Sequence, residues 1–167
     1  MFKSISPKNL TENVFYLIAN QWMLIAAGEK SSFNCMTASW GGLGQLWNKD
    51  VAYIFVRPQR YTYEFLEKYD NFSLNFFESK YKNLLNICGS KSGRDIDKMN
   101  LEITPVFDNN TIYYNESKIV IICKKIYYQD IKPDNFIEKS IQKNYPLNDY
   151  HRMYIGEILQ VLVNESI

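Results

Sequence analysis

The chain has one histidine, His151, and its three cysteines, Cys35, Cys88 and Cys123, stand far apart with no CxxC. A single histidine excludes a multi-histidine metal centre, and the cysteine spacing supplies no metal cage. An odd set of scattered cysteines reads as reduced thiols of a cytoplasmic protein, each acting as a small buried hydrophobe. No run approaches the ~20 apolar residues of a membrane helix. The opening MFKSISPKNL lacks the apolar stretch of a secretory signal. Neither a GxxxxGK[ST] phosphate loop nor a GxGxxG fingerprint occurs, so any nicotinamide nucleotide would bind without a Rossmann unit. Charge of one sign is missing too. With 19 Lys and Arg against 18 Asp and Glu, the net charge of +1 sets up no global field toward nucleic acid or an anionic membrane. An anion site has to be local.

What is present fits one domain over residues 1–167, long enough to bury a core without disulfides. Hydrophobic residues at 46% and charged residues at 22% are ordinary for a globular chain. Thirteen Tyr and ten Phe suit strands and barrel interiors. Ser6-Pro7 reads as a helix start, followed by Leu10, Val14, Leu17 and Ile18 at helical spacing. Strands are expected at Trp22–Ala27, Phe33–Trp40, Val51–Val56, Phe72–Phe77, Thr111–Tyr114, Ser117–Tyr128 and Met153–Val163. Short helices are expected from Thr62, as cap, to Tyr69, over Tyr81–Cys88 and over Ser92–Met99. Gly41–Gly44 reads as a flexible turn and Asp134–Asn148 as irregular. Six or seven strands with short helices between them predict a mainly β fold, a closed or nearly closed β-barrel.

Four segments have the residue types for chemistry. Asn34-Cys35-Met36-Thr37-Ala38-Ser39-Trp40 alternates small polar with small apolar groups. A flat heteroaromatic ring could lie against it and meet backbone and hydroxyl groups; a plain edge strand with Thr and Ser in water fits equally. Arg57-Pro58-Gln59-Arg60-Tyr61-Thr62 gathers two guanidinium groups, a hydroxyl and a helix start, the parts of a phosphate site. Its alternative is a solvated loop paired with Glu64 or Glu67. Gly89–Lys98 is rich in cations and donors, and equally fits a helix end with a charged turn. His151 follows Asp149-Tyr150; beside a ligand it could hydrogen-bond or shuttle a proton, and otherwise it is a loop histidine.

Together NCMTASWGGLGQLW, VRPQRYTYEF, GSKSGRDIDK and DYHRMYIGEI resemble the flavin reductase-like family, in order, from about Trp22 to Glu157. The resemblance implies an FMN-binding split barrel, related to flavoredoxins, forming a homodimer with flavin near the subunit interface. It implies that Asn34, Met36, Thr37, Ala38, Ser39 and Trp40 line the flavin ring and ribityl chain. Arg57, Arg60 and Thr62 would hold the phosphate, helped by Pro58 and Tyr61. The Ser90–Lys98 loop would close over the flavin through Lys91, Arg94 and Lys98, with His151 at the reactive side.

The implied activity is NAD(P)H:flavin reductase-type transfer through FMN, with NAD(P)H as donor. The alternative is an electron carrier with tightly bound FMN and a protein redox partner. A third reading, an aromatic barrel stacking single-stranded nucleic acid, conflicts with the near-neutral charge. The expectation is thus no nucleic acid, no membrane and a cytoplasmic setting.

Overall fold

A computed structural model describes residues 1–108 and 110–166. Its strands are β1 (Phe2–Ile5), β2 (Met23–Glu29), β3 (Ser32–Ala38), β4 (Gly41–Leu46), β5 (Lys49–Val56), β6 (Asn71–Phe76), β7 (Pro105–Asp108), β8 (Thr111–Tyr114), β9 (Ile119–Asp130) and β10 (Arg152–Asn164). Its α-helical segments are α1 (Val14–Tyr16), α2 (Tyr61–Lys68) and α3 (Lys82–Ser90). Among the described residues, no helix is long and apolar enough to cross a membrane.

The fold is mainly β, as expected. The main sheet runs β3-β2-β6-β9-β10-β5-β4, with β1 added to β10, and β7 and β8 form a separate pair. All of these pairings are antiparallel. The two ends of that order, β3 and β4, are consecutive in the chain and separated only by Ser39 and Trp40. The curled sheet therefore stays open at one seam, and the Asn34–Trp40 segment borders it.

Burial on both faces explains the apolar runs. In β2, Ile25 and Ala27 face the barrel core with Ile54, Phe72, Leu74 and Ile121. Leu24 and Ala26 face the other way, against Phe33, Cys35 and α3. A strand covered on both sides needs no polar alternation. Phe65 and Leu66 of α2 join the barrel core. Gly156 lets β10 cross that core: a Cβ there would lie 2.6 Å from Phe72 Cζ and 2.8 Å from Cys123 Cβ.

Asn75 of β6 is fully buried and ties four groups together. Its Nδ2 donates to Leu24 O (3.2 Å) and Ser73 Oγ (2.8 Å), and its Oδ1 accepts from Tyr114 N (3.1 Å) and Ser117 Oγ (3.4 Å).

Several local expectations are corrected. Gly41–Gly44 is not a flexible turn but the start of β4, paired with β5. The turn falls instead at Trp47-Asn48, where both residues have positive φ (51° and 59°), the two-residue geometry that matches strand twist. The first helix is broken into a single turn at Pro7–Asn9 and a later piece from Val14 through Gln21. Asn13 supplies the missed cap, accepting from Tyr16 N at 3.1 Å. Ser92–Met99 forms turns, not a helix. Strands β1 and β7 were not expected; each is four residues long, too short to show a period.

Candidate functional site

The seam holds the site. Alternation along β3 sends Asn34 and Met36 to one face and Cys35 and Thr37 to the other. Asn34 is buried, and its Nδ2 donates to Thr62 Oγ1 at 2.8 Å, joining β3 to the first turn of α2. Thr62 is thus a partner of Asn34 rather than the helix cap; Arg60 occupies the cap position, with no side chain capping the helix. On the opposite face, Thr37 Oγ1 donates to Leu85 O of α3 at 2.5 Å.

Met36, Thr37, Ala38, Ser39 and Trp40 then form one wall of a cleft of about 190 Å³, with Phe55, Arg57, Arg60 and His151 around it. Thr37 and Ser39 also border an adjoining hollow of about 310 Å³, reached by Trp22, Leu85, Asn86, Gly89 and Ser90. The two hollows meet along the small side chains that the sequence singles out. Together they offer a flat, partly open groove with backbone and hydroxyl groups along it. Trp40 is 49% exposed and packs 5.3 Å from the His151 ring.

The arginines are held from behind. Arg57 pairs with Asp149, donates to Asn144 O at 2.8 Å and lies over the Tyr145 ring at 5.1 Å. Gln59 also donates to Asp149. Burial pulls the Asp149 carboxyl upward, but these hydrogen bonds outweigh it and leave it below its ordinary value. Arg60 donates to Gly89 O (2.7 Å) and Cys88 O (3.1 Å) at the end of α3. Burial, then the nearby Arg57 charge, lowers its pKa against a raising effect from Cys88. A guanidinium has five N–H donors, so Arg60 keeps three beyond these two carbonyl bonds.

His151 is buried, and its Nδ1 lies 2.9 Å from the Tyr145 hydroxyl. Burial, with the Arg57 charge, pulls its pKa from 6.5 down to about 4. The ring is therefore neutral at pH 7. When Tyr145 donates to Nδ1, the proton sits on Nε2.

The remaining candidates are spread more widely. Pro58 is exposed at the turn before α2, and Tyr61 packs edge-on against Phe65 at 5.1 Å. Arg94 pairs with Glu64, donates to Gln59 O and covers the Tyr61 ring at 4.7 Å. Gly93 brings that loop onto the site: a Cβ there would meet Asn34 Oδ1 at 2.2 Å. Lys91 is exposed just past α3. Lys98 does not line the cleft. It is 4% exposed, and its Nζ donates to Cys35 O (3.0 Å) and Cys88 O (2.9 Å). The two carbonyls draw its charge inward while burial lowers its pKa.

Tyr145 and Asp149 are the functional neighbours that sequence reasoning passes over. Asp149 belonged to a quoted motif, yet nothing local pairs it with Arg57. Among the described residues, no cluster of three or more possible metal ligands forms.

The family model described as "Flavin reductase like domain" matches residues 15–167. Among curated proteins, no sequence matches this chain significantly. Solved structures share the fold. Flavoredoxin of Desulfovibrio vulgaris (Miyazaki F) is 24% identical, with a TM-score of 0.68, covering 98% of this chain and 77% of its own. An FMN-binding protein from Thermus thermophilus with bound p-hydroxybenzaldehyde is 17% identical, with a TM-score of 0.69 and coverage of 98% and 82%. The NADH:FAD oxidoreductase of Streptomyces globisporus C-1027 is 12% identical, with a TM-score of 0.65 and coverage of 87% and 76%.

Proposed function

This chain belongs to the flavin reductase-like domain family, and from that premise we propose that it is an FMN-dependent oxidoreductase of the NAD(P)H:flavin reductase type. The observation that carries the reading is the groove along Met36–Ser39 at the barrel seam, with both Arg60 and His151 in its lining. The fit to FMN rests on three features. Small side chains leave room for a planar ring, Arg60 retains N–H donors for a phosphate, and the uncapped start of α2 lies beside it.

When bound, FMN supplies hydride and electron transfer through its own ring. The chain's residues bind and orient. The backbone of Thr37 and the backbone and hydroxyl of Ser39 would meet the polar ring edge, and Arg60 would anchor the phosphate. Asp149 and Asn144 hold Arg57 at the cleft wall. Neutral His151, braced by Tyr145, offers an Nε2 hydrogen bond and no positive charge at pH 7. Lys91 and Arg94 stay with the proposal as residues of the loop beside Asn34.

Arg60→Ala is expected to weaken FMN binding about 10- to 150-fold, the loss of one charge-assisted contact of roughly 1.5–3 kcal/mol. A flavin titration by fluorescence quenching reads this directly; an unchanged isotherm would remove Arg60 from the phosphate site.

The test of the function is the visible spectrum of the purified protein with FMN, followed by anaerobic NADH or NADPH. Bleaching of the flavin band on addition of nucleotide is expected. A flavin that binds but is not bleached by either nucleotide overturns the reductase reading. It would favour the second reading, an electron carrier with a protein redox partner, to which the shared fold with a flavoredoxin lends support. The proposal includes a homodimer in a cytoplasmic setting. Half-exposed Trp47, packed 5.8 Å from Tyr127, and exposed Leu159 are the kind of apolar surface a second copy would cover.

A further inference from the structure

Behind the cleft wall, two cysteines distant in sequence are brought together. Cys35 and Thr37 share one face of β3; Leu85 and Cys88 share one face of α3. The Thr37–Leu85 hydrogen bond fixes one rung of that contact. The next rung is Cys35 against Cys88, both fully buried in one apolar cluster with Leu85 and Tyr114. Lys98 Nζ bonds the carbonyls of both cysteines, at 3.0 and 2.9 Å. Two hydrogen bonds to one ammonium keep those carbonyl oxygens within about 6 Å, and the two thiols lie close enough to hydrogen-bond to each other. The Tyr114 hydroxyl is buried with no hydrogen-bond partner of its own and lies beside the Cys35 thiol. Cys123 sits elsewhere, in the barrel core.

We propose that Cys35 and Cys88 form a redox-active dithiol, which an oxidant of the hydroperoxide class converts to a disulfide joining β3 to α3. The step balances without any bound cofactor. The Cys35 thiolate attacks one peroxide oxygen and the O–O bond breaks. This leaves a sulfenic acid on Cys35 and a hydroxide that takes up the thiol proton. The Cys88 sulfur then attacks the Cys35 sulfur; the S–O bond breaks, water leaves and the S–S bond forms. Two thiols lose two electrons and two protons, and hydrogen peroxide becomes two waters. The environment assigns the roles. A hydrogen bond from the Cys88 thiol holds Cys35 below its ordinary pKa, with the Lys98 charge helping against burial. The same pairing and burial push Cys88 up. The disulfide would fix Thr37 and Gly89, which border one hollow and pack so closely that a Cβ added at Gly89 would lie 3.4 Å from Thr37 Cβ.

The test treats the native protein with excess hydrogen peroxide, quenches with catalase, and labels with N-ethylmaleimide in denaturant before intact mass measurement. The untreated protein is expected to carry three labels. The oxidised protein should carry one, on Cys123, with a mass 2 Da lower before labelling and a peptide linking Cys35 to Cys88. Dithiothreitol should restore three labels. Cys35→Ala should keep both of its remaining thiols free of a linkage. Three labels after oxidation, higher oxides without a linked peptide, or a linkage to Cys123 would each overturn the proposal.

Discussion

Asn75→Ala is expected to lower the stability of the fold by about 3–5 kcal/mol, the largest effect of any single polar substitution considered. The Asn75 side chain makes four hydrogen bonds in a site with no access to water. Alanine removes all four. Tyr114 N–H and the Ser117 hydroxyl lose an acceptor, and Leu24 O loses a side-chain donor. Each buried polar group left without a partner costs about 1–3 kcal/mol. The cavity adds to that. The affected groups belong to β2, β8 and the segment before β9, so the damage falls where β6 meets its neighbours. For a chain of this size the melting temperature should fall by roughly 10–15 °C. Urea unfolding monitored by tryptophan fluorescence measures it. A loss under 1 kcal/mol would mean that the hub contributes no more than ordinary surface contacts.

The second large effect is a loss of stability on acidification that belongs to His151. Its folded pKa of about 4 lies below the ordinary 6.5 because burial and Arg57 both oppose the charged ring. Between those values the unfolded chain binds a proton that the folded chain refuses. Stability therefore rises with pH across that window and is lost as pH falls from about 6.5 to about 4. At full strength such a difference is worth on the order of 3 kcal/mol, and partial solvent screening lowers it to about 2. The expected result is a slope of stability between pH 4 and 7 that is absent in His151→Gln. Paired unfolding curves of both proteins supply the comparison. Identical slopes would assign the acid sensitivity to the carboxylates instead. The same substitution is expected to change turnover more than FMN affinity, since His151 is neutral at pH 7 and supplies no charge to hold a phosphate.

Much of this protein was legible in the sequence. The apolar run at Trp22–Ala27 and the alternation at Phe72–Phe77 placed two strands to within two residues at either end, because burial dictates side-chain type at those positions. The small residues at Thr37–Ser39 and the arginines Arg57 and Arg60, singled out by type and spacing, all fall in the lining of one cleft. Other features had no local signature. Gly41–Gly44 carries turn chemistry, yet pairing with β5 supplies hydrogen bonds that glycine's own preference does not predict. Lys98 was expected in a loop over the flavin, and only the packing of α3 on β3 turned it inward onto two buried carbonyls.

The segment Asn34–Trp40 shows where the two kinds of information divide. The sequence alone determined its residue types, small groups that alternate between polar and apolar. The tertiary structure decided what surrounds it. It set β3 at the open seam, brought Arg60 and His151 into the lining of one cleft, and tied Arg57 to Asp149 across the chain. The physical reason is range. Residue type and period report burial and local geometry, whereas partners distant in sequence are chosen only when strands and helices pack.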